Sequence, residues 1–230
     1  MRLNKFLTKA GVCSRRKAEQ LISEGRVTVN GKNAQVTTAV GVEDHVKVDG
    51  RSVILKGSHN YETYAFYKPR GVVCTLSPKE RPNLKDCLPL EGHFFPVGRL
   101  DKESEGLLII TSDGLLANKL THPSFEHEKE YLVWLHSNYD NELIGNLLSG
   151  VILDGKLCKA VSAQRVSDNK FKIILKEGRN RQIRRMVELL GYEVQKLKRI
   201  RIGAFILNLK NGEYKKLSKQ EIQRLEKSIG

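Results

Sequence analysis

Apolar positions near the start of the chain recur at helical spacing twice and then alternate. Leu3, Phe6, Leu7 and Ala10 space as one face of a helix that stops at Gly11. Ala18, Leu21 and Ile22 make the apolar stripe of a second helix, opened by Ser14 as N-cap and closed by Gly25. Its polar side carries Arg15, Arg16, Lys17 and Glu19. "RVTVNGK" then alternates and turns at Asn30-Gly31, a hairpin signature, and "HVKVDG" repeats the pattern. Two short helices and a small sheet predict a compact module over residues 1–58. The polar, non-periodic "KGSHNYET" at 56–63 predicts a linker.

From residue 62 onward strands dominate. "YAFYKPRGVVCT" predicts a strand, a turn at Lys68-Pro69-Arg70-Gly71 and a second strand. Leu107 to Thr111 predicts a short strand buried on both faces, followed by a helix in "GLLANKLTHP". "EKEYLVWLHS" predicts a strand, and "DNELIGNLLSG" a helix capped by Asp140. "KAVSAQRVSDNKFKIILKEG" predicts two strands, and "NRQIRRMVELLG" a helix. Strands in "VQKLKRIRIG" and "AFILNL" and a helix in "SKQEIQRLEKSI" complete the order. Helices inserted irregularly among strands argue for an α+β domain over 62–230, with a mainly antiparallel sheet rather than βαβ winding.

Charge narrows the function. The 230 residues carry a formal net charge of +14. Residues 1–58 hold 11 Lys/Arg against 5 Asp/Glu, and the remainder 29 against 21. Such an excess points to a polyanionic partner. Nucleic acid fits better than an anionic membrane, because no basic amphipathic stripe is present. No apolar run approaches the roughly 18 residues of a membrane span, and "MRLNKFLTKAG" leads straight into polar sequence without a secretory signal pattern. A cytoplasmic protein is expected. Cys13, Cys74, Cys87 and Cys158 form no C-x-x-C pair, and no two histidines stand four apart with a glutamate between. Neither disulfides nor a zinc site is expected.

Candidate chemistry concentrates in "GRLDKESEGLLIITSDG", residues 98–114, where a charged run abuts a buried strand. The charges are either a solvated turn or the wall of a working cleft. Two other stretches could meet it. In "EKEYLV", Lys129 and Tyr131 share a strand face. In "EGRNRQIRRM", Ile183, Met186, Val187 and Leu190 form a buried stripe, with Arg181, Arg184 and Arg185 opposite, an arrangement that suits a carboxylate or phosphate. Asp113 in "TSDG" reads as a turn residue, and Glu103 and Glu105 receive no role. A hydrolase built on Asp101 lacks a second carboxylate at a defined spacing.

"GRLDKESEGLLIITSDG" closely resembles the catalytic motif of RNA pseudouridine synthases, and "YKPRGVVCT", the "KEY" strand and "EGRNRQIRRM" resemble further motifs in the same order. Residues 2–50, through "LNKFL", "GVCSRRKAEQLISEGRVTVNGK" and "VKVDG", resemble the alpha-L RNA-binding domain first seen in small-subunit ribosomal protein four. Together they resemble the Rsu family, whose bacterial members modify ribosomal RNA. The resemblance implies isomerisation of uridine to pseudouridine on a flipped base, with no cofactor and no metal. It makes Asp101 the catalytic aspartate, Tyr131 the residue stacking on uracil, and Arg184 the partner that pairs with Asp101. Arg99 would contact RNA near the vacated position, and Lys129, with Gly98 and Leu100, would shape the site. Arg181, Arg185, Arg15, Arg16 and Lys17 would contact RNA. The implied partner is ribosomal RNA or a subunit assembly intermediate, met by a monomer. "EGRNRQIRRM" and "AGVCSRRKAEQLISEGRV" look more like the large-subunit (23S) enzymes. A small-subunit (16S) target, or a non-catalytic ribosome-associated RNA-binding protein, is the alternative.

Overall fold

The computed structural model describes residues 1–41, 43–55, 61–92, 94–121 and 127–227. The chain forms two units, one on residues 1–61 and 91–93 and the other on residues 62–90 and 94–230. The linker expected at 56–63 falls for the most part outside the described residues.

The first unit holds α1 (Leu3–Lys9), α2 (Arg15–Ser23) and a four-stranded sheet of β1 (Val27–Val29), β2 (Lys32–Asn33), β3 (Val46–Val48) and β4 (Arg51–Val53), in the order β2-β1-β3-β4. The Ser14 hydroxyl accepts from the Lys17 N–H at 3.3 Å, which caps α2. Asn30 and Gly31 both take positive φ, 51° and 81°, as a two-residue hairpin turn with the right twist requires. Leu3, Phe6, Leu7, Leu21, Ile22 and Val27 fill the core. Arg15, Arg16 and Lys17 are exposed in the first turn of α2, which has no acidic residue. Three cations at the positive end of a helix repel its dipole, a cost that a bound anion relieves.

The second unit runs β5 (Thr63–Lys68), α3 (Leu84–Cys87), β6 (Phe95–Val97), β7 (Ser104–Thr111), α4 (Gly114–Thr121), β8 (Lys129–Leu135), α5 (Asn141–Ser149), β9 (Val151–Leu153), β10 (Lys156–Cys158), β11 (Ser162–Ser167), β12 (Lys170–Leu175), α6 (Gln182–Leu189), β13 (Val194–Ile202), β14 (Phe205–Ile206), β15 (Tyr214–Lys216) and α7 (Lys219–Lys227). Its main sheet has the order β11-β12-β8-β13-β7-β5-β15, with β14 beside β13 and β6 beside β7. Among the described strands of this sheet only β13 and β7 pair in parallel. The α+β class with a mainly antiparallel sheet is therefore as expected.

β7 is buried along its whole length. Leu108 and Ile110 face the larger core, with Phe66, Val133, Phe171 and Met186. Leu107 and Ile109 face a second core, with Ala65, Leu116, Leu120 and Leu225. Alternate residues thus enter two apolar layers, and the charged run before them marks where the strand emerges. Asp113 starts α4, its Oδ1 accepting from the Leu115 N–H at 2.8 Å.

Two expectations need correcting, and one hairpin is new. No second strand follows the turn at 68–71. The fully buried Lys68 donates its Nζ to the Pro69 and Val72 carbonyls, each at 2.8 Å, and the Gly71 and Val73 N–H groups bond to Lys102 and Pro82. The backbone there is satisfied by a side chain and by loops, so no ladder forms. "AFILNL" shortens to the two residues of β14, folded back on β13. The hairpin of β9 and β10 was not anticipated, although Asp154-Gly155 in "VILDGKLC" carries the signature of its turn.

Candidate active site

A cleft of about 940 Å³ opens on the second unit. Its walls come from the loop between β6 and β7, from β8 and β13, and from the segment leading into α6. Seven basic side chains line it against two carboxylates, Asp101 and Glu177. Glu177 is occupied, accepting from Arg179 Nε at 3.0 Å and from Gln182 Nε2 at 2.6 Å. Asp101 is half-buried, and its carboxylate takes no hydrogen bond or ion pair from any described residue. It is the acid left available in a positive cleft.

The loop carrying Asp101 is held along its length. Leu100 is buried in the larger core, and its N–H donates to the Cys74 Sγ at 3.3 Å. The Asp101 carbonyl closes a turn by accepting from the Ser104 N–H at 3.0 Å, and the Lys102 carbonyl accepts from Gly71 at 2.7 Å. Arg199 donates from Nε to the Leu107 carbonyl at 2.8 Å and from Nη1 to the Arg99 carbonyl at 3.4 Å. Arg184 donates from Nη2 to the Glu103 carbonyl at 3.0 Å and from Nη1 to the Val194 carbonyl at 2.9 Å.

Tyr131 and Lys129 share the face of β8 that lines the cleft. Tyr131 is 8 % exposed, and its hydroxyl has no hydrogen-bond partner among the described residues. A ring set in the core and lining a cleft suits stacking on a base. Lys129 Nζ donates to the His127 carbonyl at 3.0 Å and to the Lys176 carbonyl at 3.3 Å. Burial, with the Arg199 charge nearby, pushes its pKa down to about 8 from 10.5. The folded state holds this proton less tightly than the unfolded chain, so the charged group destabilises the fold below about pH 8. Between about pH 8 and 10.5 that penalty disappears. The melting midpoint of the wild type should therefore rise relative to Lys129→Met across this window. A constant difference from pH 7 to 10.5 would contradict the shifted lysine.

The three arginines of "EGRNRQIRRM" do not share one face. Arg181 is not in the helix: it precedes α6 with φ 49° and φ/ψ in the left-handed region, exposed at the cleft. Gln182 draws the chain back there, its Oε1 accepting from the Arg179 N–H at 3.0 Å. Arg185 lies off the cleft in a two-bonded pair with Asp154, at 2.9 and 2.6 Å. The contact pair expected between Arg184 and Asp101 is not formed. The Arg184 guanidinium is committed to two main-chain carbonyls, and its Nε is buried without a partner among the described residues. Burial lowers its pKa, and the Asp101 charge is near enough to oppose that. Arg184 therefore meets Asp101 through the field and through the loop backbone. Arg99 is exposed at the cleft. Arg15, Arg16 and Lys17 belong to the first unit.

Sequence reading missed Arg199. It is 3 % exposed, lines the cleft, and stands opposite Tyr131 across the β13–β8 pairing. The available signal was register: Leu197 and Arg199 share one face of β13, so a charge occupies an inward position.

Comparison with known proteins identifies the family. Residues 62–189 match the RNA pseudouridylate synthase family model, and residues 1–46 match the S4 domain. The chain is 39% identical over 230 residues to the dual-specificity RNA pseudouridine synthase RluF of Escherichia coli (strain K12), covering 100% of this chain and 79% of that one. It is 38% identical over 241 residues to the ribosomal large subunit pseudouridine synthase B of Pseudomonas aeruginosa, covering 62% of that relative's length. A solved pseudouridylate synthase superposes with a TM-score of 0.72 at 28% identity, covering 98% of this chain and 99% of that one. The chain belongs to the RNA pseudouridylate synthase family, as an RNA pseudouridine synthase with an S4 domain at its N-terminus.

Proposed function

We propose that the protein converts uridines of large-subunit ribosomal RNA to pseudouridine in the cleft around Asp101. The observation that carries this reading is the site itself: one half-buried carboxylate that no described residue pairs with, in the same cation-rich cleft as a buried tyrosine. The cations suit the phosphates of RNA, and the target uridine leaves its stack to enter. The bond from the sugar to nitrogen 1 breaks, the base turns, and the sugar bonds to carbon 5. The proton on carbon 5 leaves and nitrogen 1 gains one, so no redox partner is required. Asp101 supplies the carboxylate, as nucleophile on the substrate or as trigger of glycosidic cleavage. Tyr131 stacks on the free uracil and takes the carbon 5 proton. Arg99 and Arg181 contact the RNA at the cleft, and Arg15, Arg16 and Lys17 contact it from the S4 domain. The target subunit is supported by relatives that bear large-subunit names. Among the described residues no helix is long and apolar enough to cross a membrane, and we place the reaction in the cytoplasm, on ribosomal RNA or an assembling subunit, with the protein as a monomer.

Tyr131→Phe keeps the stacking face and removes the hydroxyl. Single-turnover rate at saturating RNA should fall about 100-fold if that oxygen handles the proton, with RNA affinity unchanged. A wild-type rate in Tyr131→Phe reduces Tyr131 to a platform.

The test of the function is a pseudouridine map of all cellular RNA with and without the gene. At least one large-subunit uridine should lose its modification on deletion and regain it with the wild-type gene. An unchanged large-subunit map, with losses confined to small-subunit or other RNA, overturns the substrate assignment. The dual-specificity name of the RluF relatives is the reason to map all RNA rather than one subunit.

A further inference from the structure

We propose that Arg199 is a positioning residue that fixes the Asp101 loop against the strand bearing Tyr131. The inference rests on the reading of Asp101 and Tyr131 given above. Arg199 stands opposite Gly106 of β7 on one side and opposite Tyr131 of β8 on the other. The β13–β8 register shifts between Arg199 and Arg201, and such a bulge re-aims a side chain at a site edge. From this place the guanidinium reaches the Arg99 carbonyl, two residues before Asp101, and the Leu107 carbonyl, six residues after it. One planar fork thus ties the start of the loop and the strand that follows it to the strand that carries the tyrosine's neighbour.

A residue there for stability alone would not be built this way. Arg199 is almost fully buried, and among the described residues no carboxylate pairs with it and its Nη2 has no partner. Its charge also helps push Lys129 down. A buried, unpaired cation is costly, and an apolar residue would pack a strand more cheaply. What the guanidinium supplies is a rigid two-point hold in fixed geometry, which the single flexible ammonium of lysine does not reproduce. A displacement of about 1 Å at a reacting group can cost on the order of 100-fold in rate.

The experiment compares wild type, Asp101→Asn, Arg199→Lys and Arg199→Gln on large-subunit ribosomal RNA purified from cells lacking the protein. Single-turnover rate at saturating RNA, RNA affinity and folded fraction at the assay temperature are measured for each. Expected for both Arg199 variants is a rate per folded molecule reduced about 100-fold, with RNA affinity within threefold. A structural role would lower only the folded fraction, and an RNA contact would weaken affinity while leaving the saturated rate intact; either result overturns the proposal. So does a rate per folded molecule within threefold of wild type. An inactive wild type, or an active Asp101→Asn, overturns the functional reading instead, and is recognised before the Arg199 variants are scored.

Discussion

Asp101→Asn abolishes pseudouridine formation, with the single-turnover rate falling below about a thousandth of wild type, while the protein stays folded and binds RNA at least as well. The substitution keeps the size of the side chain and removes only its charge and its ability to attack or to accept a proton. The carboxylate makes no hydrogen bond or ion pair to a described residue, so no structural contact is lost with it. The loop is held by its main chain and by Leu100, through the carbonyls of Arg99, Asp101, Lys102 and Glu103, all of which survive the change. Loss of one negative charge from a cleft lined by seven basic side chains should strengthen attraction for phosphate. Rate and affinity therefore separate. Measuring both on the same RNA checks this, and a mutant turning over within tenfold of wild type removes Asp101 from the chemistry.

The largest effect on folding is expected at Gly106. It lies in β7 with φ 109°, a region that side chains other than glycine rarely enter. A Cβ there would stand 2.7 Å from the Arg199 main-chain nitrogen and closer still to its carbonyl oxygen. Both are backbone atoms of the neighbouring strand, so no rotamer change relieves the overlap. The pairing of β7 with β13 would have to open between Leu197 and Arg199. Gly106→Ala should cost about 4 kcal/mol or more, in the range reserved for strain and broken packing. For a chain of this size that corresponds to a fall in melting midpoint on the order of 10 °C. Alanine at Gly155, where nothing lies within 4 Å, meets only the strain of its φ of 72° and should cost far less. Thermal unfolding of the two variants side by side tests the argument, and equal losses would refute the close approach at Gly106.

Much of the local structure was legible in residue order because it depends on neighbours within a few positions. Caps such as Ser14 and Asp140, the Asn30-Gly31 turn and the alternation that buries β7 on both faces are short-range effects. The resemblance of "GRLD", "KEY" and "EGRNRQIRRM" to known motifs pointed to Asp101, Tyr131 and Arg184, which periodicity alone could not have singled out. The tertiary structure alone decided how charges are used. Arg181, Arg184 and Arg185 read as one cationic face on a helical wheel. In the fold, a left-handed residue, two main-chain carbonyls and Asp154 send them to three different places. Lys68 cancelled an expected strand by taking the carbonyls that a ladder would have used. Arg199 was hidden because its role depends on a bulge and on Gly106, ninety-three residues earlier in the chain. Helical and strand periodicity report which side chains leave water. The partner of a buried charge is set by which distant backbone groups the packing brings within about 3 Å, and no local pattern encodes that distance.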